Sequence, residues 1–164
     1  MMISSNASGW VGRESLSVSV QQSGQVTNVD GFLGTDSVHL RQDERSISGD
    51  ISGFQGYSRV NLSVQKYPNG SRLSGWVGNN NFYLDDRTRP NGEHWMTGNL
   101  GRVNINLTRR DRENNSSIQG SLTNPGSLSE NVSVNLSGSV PTQMEALYPA
   151  LSYLGPAMRL ALAG

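Results

Sequence analysis

Apolar residues occupy every second position in six stretches of the chain, and serine, asparagine and other polar residues fill the positions between them. This alternation is typical of β-strands that bury one face and expose the other. Polar turn sequences separate the stretches, as at Tyr67 to Gly70, where a proline and a glycine favour a tight turn. The alternating stretches cover residues 16–20, 38–40, 60–64, 82–84, 103–107 and 132–136.

A glycine with apolar residues two positions before and after it recurs at nearly constant spacing. The intervals between successive central glycines are 22, 22, 22, 23 and 22 residues. Side chains two positions apart share one face of a strand, so each unit begins with a strand whose apolar face carries the glycine. Gln55 is the single polar residue at the flanking positions. The central glycines are Gly9, Gly31, Gly53, Gly75, Gly98 and Gly120.

Each repeat unit is predicted to be a β-hairpin. In five units a second glycine follows three residues after the central one and is predicted to mark the turn, at Gly12, Gly34, Gly56, Gly78 and Gly101. The fold class is therefore all-β: an antiparallel meander of about six hairpin repeats, with about twelve strands and a period of 22 residues. Closure as a β-barrel would remove both exposed sheet edges. The alternative is a parallel β-helix, which the polar half of each unit disfavours.

The last part of the chain has a different pattern. We expect a hairpin-repeat barrel over residues 1–140 and an apolar C-terminal helix over residues 141–164, because apolar residues there recur at spacings of three and four. Thr142 and Glu145 have the spacing of a helix capping box. The amphipathic helix is predicted to pack on or in the barrel as a plug, with an assembly helix as the alternative. Its apolar stripe contains Met144, Leu147, Leu151, Leu154, Met158 and Ala161.

The residue after the central glycine is aromatic in the first four units, and is Asn99 and Ser121 in the last two. Being one position out of phase with the apolar residues, these aromatic side chains are expected on the outer face, as a row for a protein partner or a glycan. The alternative is that they cover neighbouring glycines or lie in the core. The four candidates are Trp10, Phe32, Phe54 and Trp76.

Two weaker candidate sites lie at the long, charged turns that join one hairpin to the next. Tyr67 and Trp95 would be the aromatic anchors of a binding surface there, since aromatic residues and arginine dominate interface hot spots. Asp85-Asp86 and Glu93-His94 lie on the two strands of one hairpin, where carboxylates near a histidine can transfer protons or hold a cation. Nothing in the sequence orients these groups for catalysis.

Composition narrows the function classes. Thirteen basic residues balance thirteen acidic ones, so net charge gives no reason to expect nucleic-acid binding, and contact with a membrane is not expected either. The chain has no cysteine and two histidines, and we expect no metal and no cofactor. The first six residues show no signal-peptide pattern and no apolar stretch is a credible membrane span, which predicts a cytoplasmic or non-classically exported protein.

The leading hypothesis is a non-enzymatic binding or structural module that uses the aromatic row and the C-terminal helix for contacts. The candidate partners are another protein, a second copy of the chain, or a glycan. The first alternative is a carrier that holds a small apolar molecule in the barrel interior, and the second is a glycan-binding repeat protein.

Overall fold

The computed structural model describes residues 2–53, 56–126 and 128–153. Strands account for 73% of the structure, which confirms the all-β class. In chain order they are β1 (Met2–Val11), β2 (Glu14–Ser23), β3 (Val26–Leu33), β4 (Asp36–Gln42), β5 (Ser46–Gly53), β6 (Gly56–Tyr67), β7 (Gly70–Val77), β8 (Asn80–Thr88), β9 (His94–Leu100), β10 (Val103–Asp111), β11 (Asn115–Asn124) and β12 (Leu128–Gly138). A 3₁₀-helix (Glu145–Leu147) and the helix α1 (Tyr148–Ser152) follow.

The strands form one closed barrel. Each pairs antiparallel with its neighbours in chain order, and β1 also pairs with β12, from Ser5 opposite Gly138 to Val11 opposite Val132. The antiparallel pairing confirms the predicted hairpin meander over the parallel β-helix. In a meander the connections after odd-numbered strands all lie at one end, which we call the short-turn rim. The connections after β2, β4, β6, β8 and β10 lie at the opposite end, the long-turn rim.

Side chains alternate between the interior and the outer face along each strand. In β8, for example, Phe82, Leu84 and Asp86 are buried, whereas Tyr83 is exposed. The interior is apolar over most of its length, because the alternating Val, Leu and Ile positions all point into it. Towards the long-turn rim the buried positions become polar, which requires hydrogen-bond partners inside the barrel. These buried polar residues include Gln22, Thr27, Gln42, Ser71, Asp86, Arg109 and Ser116.

The third repeat unit does not follow the predicted alignment. Gly53 of β5 pairs with Gly56 of β6, so Gly56 lies in a strand and does not mark the turn. The turn of this hairpin therefore comes before Gly56, earlier in the chain than the repeat pattern predicted. Phe54 and Gln55 themselves lie outside the described residues.

Gly49, and not Gly53, is the interior glycine of this unit. It lies between the buried Ile47 and Ile51 and has a φ of 142°. A Cβ atom at Gly49 would come within 2.0 Å of the His39 carbonyl oxygen, just as one at Gly31 would come within 2.2 Å of the Ser17 carbonyl oxygen. The interior glycines thus let neighbouring backbones approach closely. With Gly49 as the interior glycine, both flanking residues, Ile47 and Ile51, are apolar, and Gln55 is no longer an exception to the repeat pattern.

The C-terminal segment, residues 142–153, packs inside the barrel. Ala146, Leu147 and Tyr148 are fully buried, and the segment belongs to the same core as the inward-facing strand residues. The predicted polar side of the helix is buried too, since Glu145 is 6% exposed and Ser152 is 0% exposed. Within the described residues the segment is therefore not an amphipathic helix on a surface.

The predicted capping box is wrong. The residue at the N-terminal cap of the 3₁₀-helix is Met144, and no side chain caps it. Thr142 bonds instead to Gln22 of β2, with its backbone N–H 2.9 Å from the Gln22 Oε1 atom. Tertiary partners inside the barrel replace the local bond that the Thr142–Glu145 spacing suggested.

Candidate functional site

Three of the four aromatic residues that follow the repeat glycines lie on the outer face of the barrel. Trp10 is 56% exposed, Phe32 is 58% exposed and Trp76 is 50% exposed. The outer face around them is built from small polar residues, since Trp10 lies between Ser15 and Ser133 on the adjacent strands. These three residues are thus outside the core, near the short-turn rim. The fourth, Phe54, lies outside the described residues.

The aromatic residues do not form one straight row. Trp10 is opposite Ser15 of β2 but Phe32 is opposite Ser17, so the two rings are offset by two residues along the strands. Four strand-to-strand steps separate Phe32 from Trp76. Tyr57, which the sequence pattern did not single out, is 64% exposed and lies between them. We call Trp10, Phe32, Tyr57 and Trp76 the aromatic band.

Tyr57 was missed because its position depends on where the third hairpin turns. Because Gly56 already lies in β6, Tyr57 pairs with Ser52 and shares its outward orientation. Ser52 pairs in turn with Ser37, and Ser37 with Phe32, so Tyr57 and Phe32 lie on one line across four strands. The sequence signal was the alternation within β6, in which Val60, Leu62 and Val64 are buried and the odd-numbered residues face outward.

Tyr67 and Trp95 lie near the long-turn rim. They are 48% and 40% exposed, and Tyr83 between them is 36% exposed. The Tyr67 hydroxyl donates to Gln65 Oε1 at 2.9 Å, and Trp95 Nε1 donates to Asn106 Oδ1 at 2.9 Å. Each ring is therefore tethered through its polar atom to a neighbouring side chain while part of it remains exposed.

The C-terminal candidates are in the interior instead. Met144 is 1% exposed, and Leu147 and Leu151 are 0% exposed. They contact the core and present no surface to a partner, which favours the plug over the assembly helix. Leu154 and Met158 lie outside the described residues.

Polar side chains from several strands hold the C-terminal segment in place. Gln42 of β4 accepts a hydrogen bond from the Ala146 backbone N–H at 2.8 Å and donates to Glu145 Oε2 at 2.9 Å. Lys66 of β6 forms an ion pair with the other oxygen of the Glu145 carboxylate. The buried Glu145 is thus bonded through both oxygens, as a carboxylate inside a protein requires.

A second polar cluster joins α1 to β8, β9 and β10. The Tyr148 hydroxyl donates to Asp86 Oδ2 at 2.8 Å and accepts a bond from the Arg109 guanidinium. His94 Nδ1 lies 3.1 Å from Asp86 Oδ1, and Arg109 Nη2 lies 3.1 Å from Asp111 Oδ2. Asp86 is 5% exposed and Arg109 is 8% exposed, so these charges are largely removed from water. We call these five residues the charged cluster.

The electrostatics of the charged cluster favour ionised side chains. Hydrogen bonds to Asp111 and Asp86 raise the pKa of His94 from 6.5 to about 9. Burial alone would raise the pKa of Asp111, but contacts with His94 and Arg109 hold it well below its usual value. Burial raises the pKa of Tyr148, so its hydroxyl keeps the proton that it donates to Asp86.

Charge balance explains how the cluster tolerates two cations side by side. His94 Nε2 lies 3.4 Å from Asp111 Oδ2, which favours the protonated ring, and 2.8 Å from Arg109 Nη2, which opposes it because both nitrogens then carry hydrogens. The two carboxylates outweigh the effect of Arg109 on the pKa of His94. With His94 protonated, two carboxylates offset two cations, so the group is neutral as a whole. These contacts bond the titratable groups to one another in a connected network of hydrogen bonds and ion pairs.

The sequence had placed Asp85, Asp86, Glu93 and His94 across one hairpin, and the structure brings only part of this group together. Asp86 and His94 do meet, but Asp85 points outward and accepts a hydrogen bond from Arg72 Nε at 2.9 Å. Glu93 instead accepts a hydrogen bond from Arg110 at 2.6 Å. The group that completes the cluster, Tyr148, comes from the C-terminal segment, and no local pattern could have revealed it.

Among the residues that the structure describes, no group of three or more histidine, aspartate or glutamate side chains is arranged to hold a metal ion. None of the described helices is long and apolar enough to cross a membrane. In the three comparisons made with this chain, no protein-family model, no curated protein and no solved structure matches it.

Proposed function

We propose that this protein is a non-enzymatic binding module that contacts a protein partner through the outer face of its barrel. One observation carries the proposal: seven of the described aromatic side chains are exposed, and only Phe82, Tyr148 and Tyr153 are buried. Large aromatic side chains are usually drawn into the core, where their burial contributes most. Exposed aromatic rings on a rigid sheet are the usual anchors of protein interfaces.

The filled interior is an argument for binding on the outer face and against binding inside the barrel. A carrier would keep interior volume for its ligand, but residues 142–153 of the chain fill that space with apolar side chains. Glu145 and Tyr148 also bond the segment to the wall at two separate points. The carrier hypothesis would need this segment to leave the barrel, at the expense of both sets of contacts.

The aromatic band supplies the clearest test. A partner that binds the native chain is first identified by photo-cross-linking from a probe at the outward-facing Ser133, beside Trp10, and is then purified and titrated. Trp76→Ala should weaken that binding by about tenfold or more, the loss typical of an interface anchor. The unfolding midpoint should stay unchanged, because Trp76 is half exposed.

The matched control is Asn99→Ala, which changes the exposed residue that follows the central glycine in the fifth unit. It should leave both binding and stability unchanged. Binding that is equally insensitive to Trp10→Ala, Phe32→Ala and Trp76→Ala would exclude the aromatic band as the contact surface. Saturable binding to a glycan, with no protein partner, would replace the proposal by the glycan-binding alternative.

A further inference from the structure

Aromatic and cationic side chains meet on the outer face of β6 to β9, near the long-turn rim. The strand register places Tyr67 of β6 opposite Gly70, Gly70 opposite Arg87, and Arg87 opposite Trp95. One step along the outer face, Arg72 of β7 is opposite Asp85 of β8. Aromatic and guanidinium groups therefore alternate across neighbouring strands. We call Tyr67, Arg72, Tyr83, Arg87, Arg89 and Trp95 the cationic–aromatic strip.

Stacking orders two of the three arginines of this strip, Arg72 and Arg89, before any partner arrives. The Arg72 guanidinium carbon lies 5.7 Å from the centre of the Tyr67 ring and 5.4 Å from that of Tyr83. The Arg89 guanidinium carbon lies 4.7 Å from the centre of the Trp95 ring. Cations at these distances are attracted to the ring faces, and an ordered side chain loses less entropy on binding.

Positive charge is at the surface of the strip, while the negative charge is recessed. The side chain of Arg87 is 70% exposed and that of Arg89 is 46% exposed. Arg110 on β10 adds a third exposed guanidinium, whereas the carboxylates that pair with these arginines, Asp85 and Glu93, are 18% and 14% exposed. A neutral chain thus presents a locally cationic face.

A groove runs along this face where Gly70 has no side chain. Its volume is about 430 Å³, and Tyr67 and Arg87 stand on either side of Gly70 in the same transverse row. A Cβ atom at Gly70 would come within 1.8 Å of the Asp86 carbonyl oxygen, so a larger residue would not fit without a backbone shift. The groove is open to solvent and is lined by residues of three successive strands, β6, β7 and β8, which suits an extended segment.

We propose that the cationic–aromatic strip binds an extended acidic segment of a protein partner, an inference that rests on the proposed function. Carboxylates of such a segment would pair with the exposed guanidinium groups of Arg87 and Arg89. Its apolar side chains, which need no parallel ring stacking, would pack on the parts of Tyr67 and Trp95 that stay exposed beside the arginines. The backbone N–H groups of a peptide could also donate hydrogen bonds to the recessed carboxylate of Asp85.

A single-stranded nucleic acid fits the same surface less well. Its bases need free ring faces for stacking, but Arg72 covers a face of Tyr67 and of Tyr83, and Arg89 covers a face of Trp95. The Asp85 carboxylate, which lies beside the groove, can accept hydrogen bonds from a peptide backbone, whereas a phosphodiester backbone carries no N–H donor. The combination of side-chain carboxylates and backbone N–H donors therefore favours an acidic peptide over a nucleic acid.

The test uses the full chain and three fluorescent probes: a short oligoglutamate peptide containing tyrosine, the matching oligolysine peptide, and an oligothymidine strand. The oligoglutamate peptide should bind, and added salt should weaken its binding by screening the exposed charges. Arg87→Ala combined with Arg89→Ala should weaken it by about tenfold, as expected for the loss of two exposed ion pairs.

Arg13→Ala combined with Arg102→Ala is the matched control, because it removes the same charge from exposed turns at the opposite rim. An equal loss in this control would show binding by net charge alone and overturn the proposal. Preferential binding of oligothymidine or oligolysine, or no binding of oligoglutamate, would also overturn it. If Trp76-dependent binding of the purified partner persists in that case, the proposed function stands and only the acidic-segment inference fails.

Discussion

At the residue scale, the charged cluster shows how ionisable groups are accommodated inside an apolar barrel. Asp86 bonds to both Tyr148 and His94, and Arg109 bonds to Asp111, so each buried charge has a partner of opposite sign or a hydroxyl. Removing one member leaves the others without partners in a medium that solvates them poorly. The cluster is therefore a set of mutually dependent contacts.

The first prediction concerns pH. The pKa of His94 is about 9 in the folded protein against 6.5 for a free histidine. The stabilisation from protonated His94 is thus fully present below about pH 6.5 and is lost as the pH rises through about 9. The free energy of unfolding of the native chain, minus that of His94→Gln, should fall across this interval in denaturant titrations. A difference that stays constant from pH 6.5 to 9 would contradict the assignment.

The second prediction concerns the hydroxyl of Tyr148. Tyr148→Phe keeps the ring but leaves Asp86 and Arg109 without one partner each, and should lower the free energy of unfolding by about 1–3 kcal/mol. Tyr83→Phe is the matched control, because that hydroxyl donates to Asp85 at 3.0 Å on the outer face. The control should change stability by less than about 0.5 kcal/mol. Equal effects of the two substitutions in chemical denaturation would show that Tyr148 has no special role.

At the scale of elements, the C-terminal segment acts as the partner for the polar end of the barrel interior. Glu145 is the central residue, since it bonds to Gln42 of β4 and pairs with Lys66 of β6. Apolar residues on either side, Met144 and Leu147, pack against the strand core. The segment thus stabilises the barrel through apolar burial and fixes its own position through polar bonds.

The third prediction uses this ion pair. Glu145→Lys places two like charges together near the rim and should destabilise the protein, while Lys66→Glu should do the same to a smaller extent because Lys66 is 45% exposed. The double exchange should recover about 1 kcal/mol relative to the sum of the single changes. The recovery of stability will be incomplete, because Gln42 Nε2 donates to Glu145 in the native chain and a lysine at position 145 cannot accept that hydrogen bond. Denaturant unfolding of the native chain, the two single variants and the double variant measures the coupling energy. A coupling energy of zero would show that the ion pair does not hold the segment in place.

The fourth prediction concerns the interior glycine of the third hairpin. Gly49→Ala forces a Cβ atom against the His39 carbonyl oxygen at a positive φ and should cost more than about 1 kcal/mol of stability. Ser48→Ala, one position away and exposed on the outer face, should cost less than about 0.5 kcal/mol. Thermal unfolding of both variants checks the expectation. Equal stabilities would contradict the assignment of Gly49, and not Gly53, as the interior glycine of the third hairpin.

At the scale of the whole molecule, closure makes the barrel and its plug interdependent. Pairing of β1 with β12 removes both sheet edges, but twelve strands enclose more space than their own side chains fill. The C-terminal segment occupies that space and turns an open cylinder into a packed core. The exposed aromatic side chains lie on the outer face, away from this filled interior.

The fifth prediction follows from this dependence. A chain that ends at residue 141 loses the burial of Met144, Leu147, Tyr148 and Leu151, each of which contributes about 1.5–3 kcal/mol before entropy is subtracted. The shortened chain should lose cooperative unfolding or bind an apolar fluorescent dye that the full chain does not bind. A shortened chain that unfolds at the native midpoint and binds no dye would show that the segment is dispensable for the fold.

The sequence by itself determined the strands and their order, and it favoured the outer face for the aromatic residues that follow the repeat glycines. Alternation of period two gives each strand a buried face, and polar turns at regular intervals leave an antiparallel meander as the simplest arrangement. Trp10, Phe32 and Trp76 are exposed as expected, because they are one position out of phase with buried neighbours. Their role in binding stays a prediction.

Tertiary structure alone decided what meets inside the barrel and where the third hairpin turns. Alternation shows that every second residue of a strand faces inward, but it does not show where the turn between two strands lies. The interior position of Gly49 and the exposure of Tyr57 therefore depended on the pairing of β5 with β6. Asp86 and Tyr148 are 62 positions apart and touch only because the barrel closes around the C-terminal segment. Local patterns describe neighbours in sequence, whereas closure of the sheet selects neighbours in space.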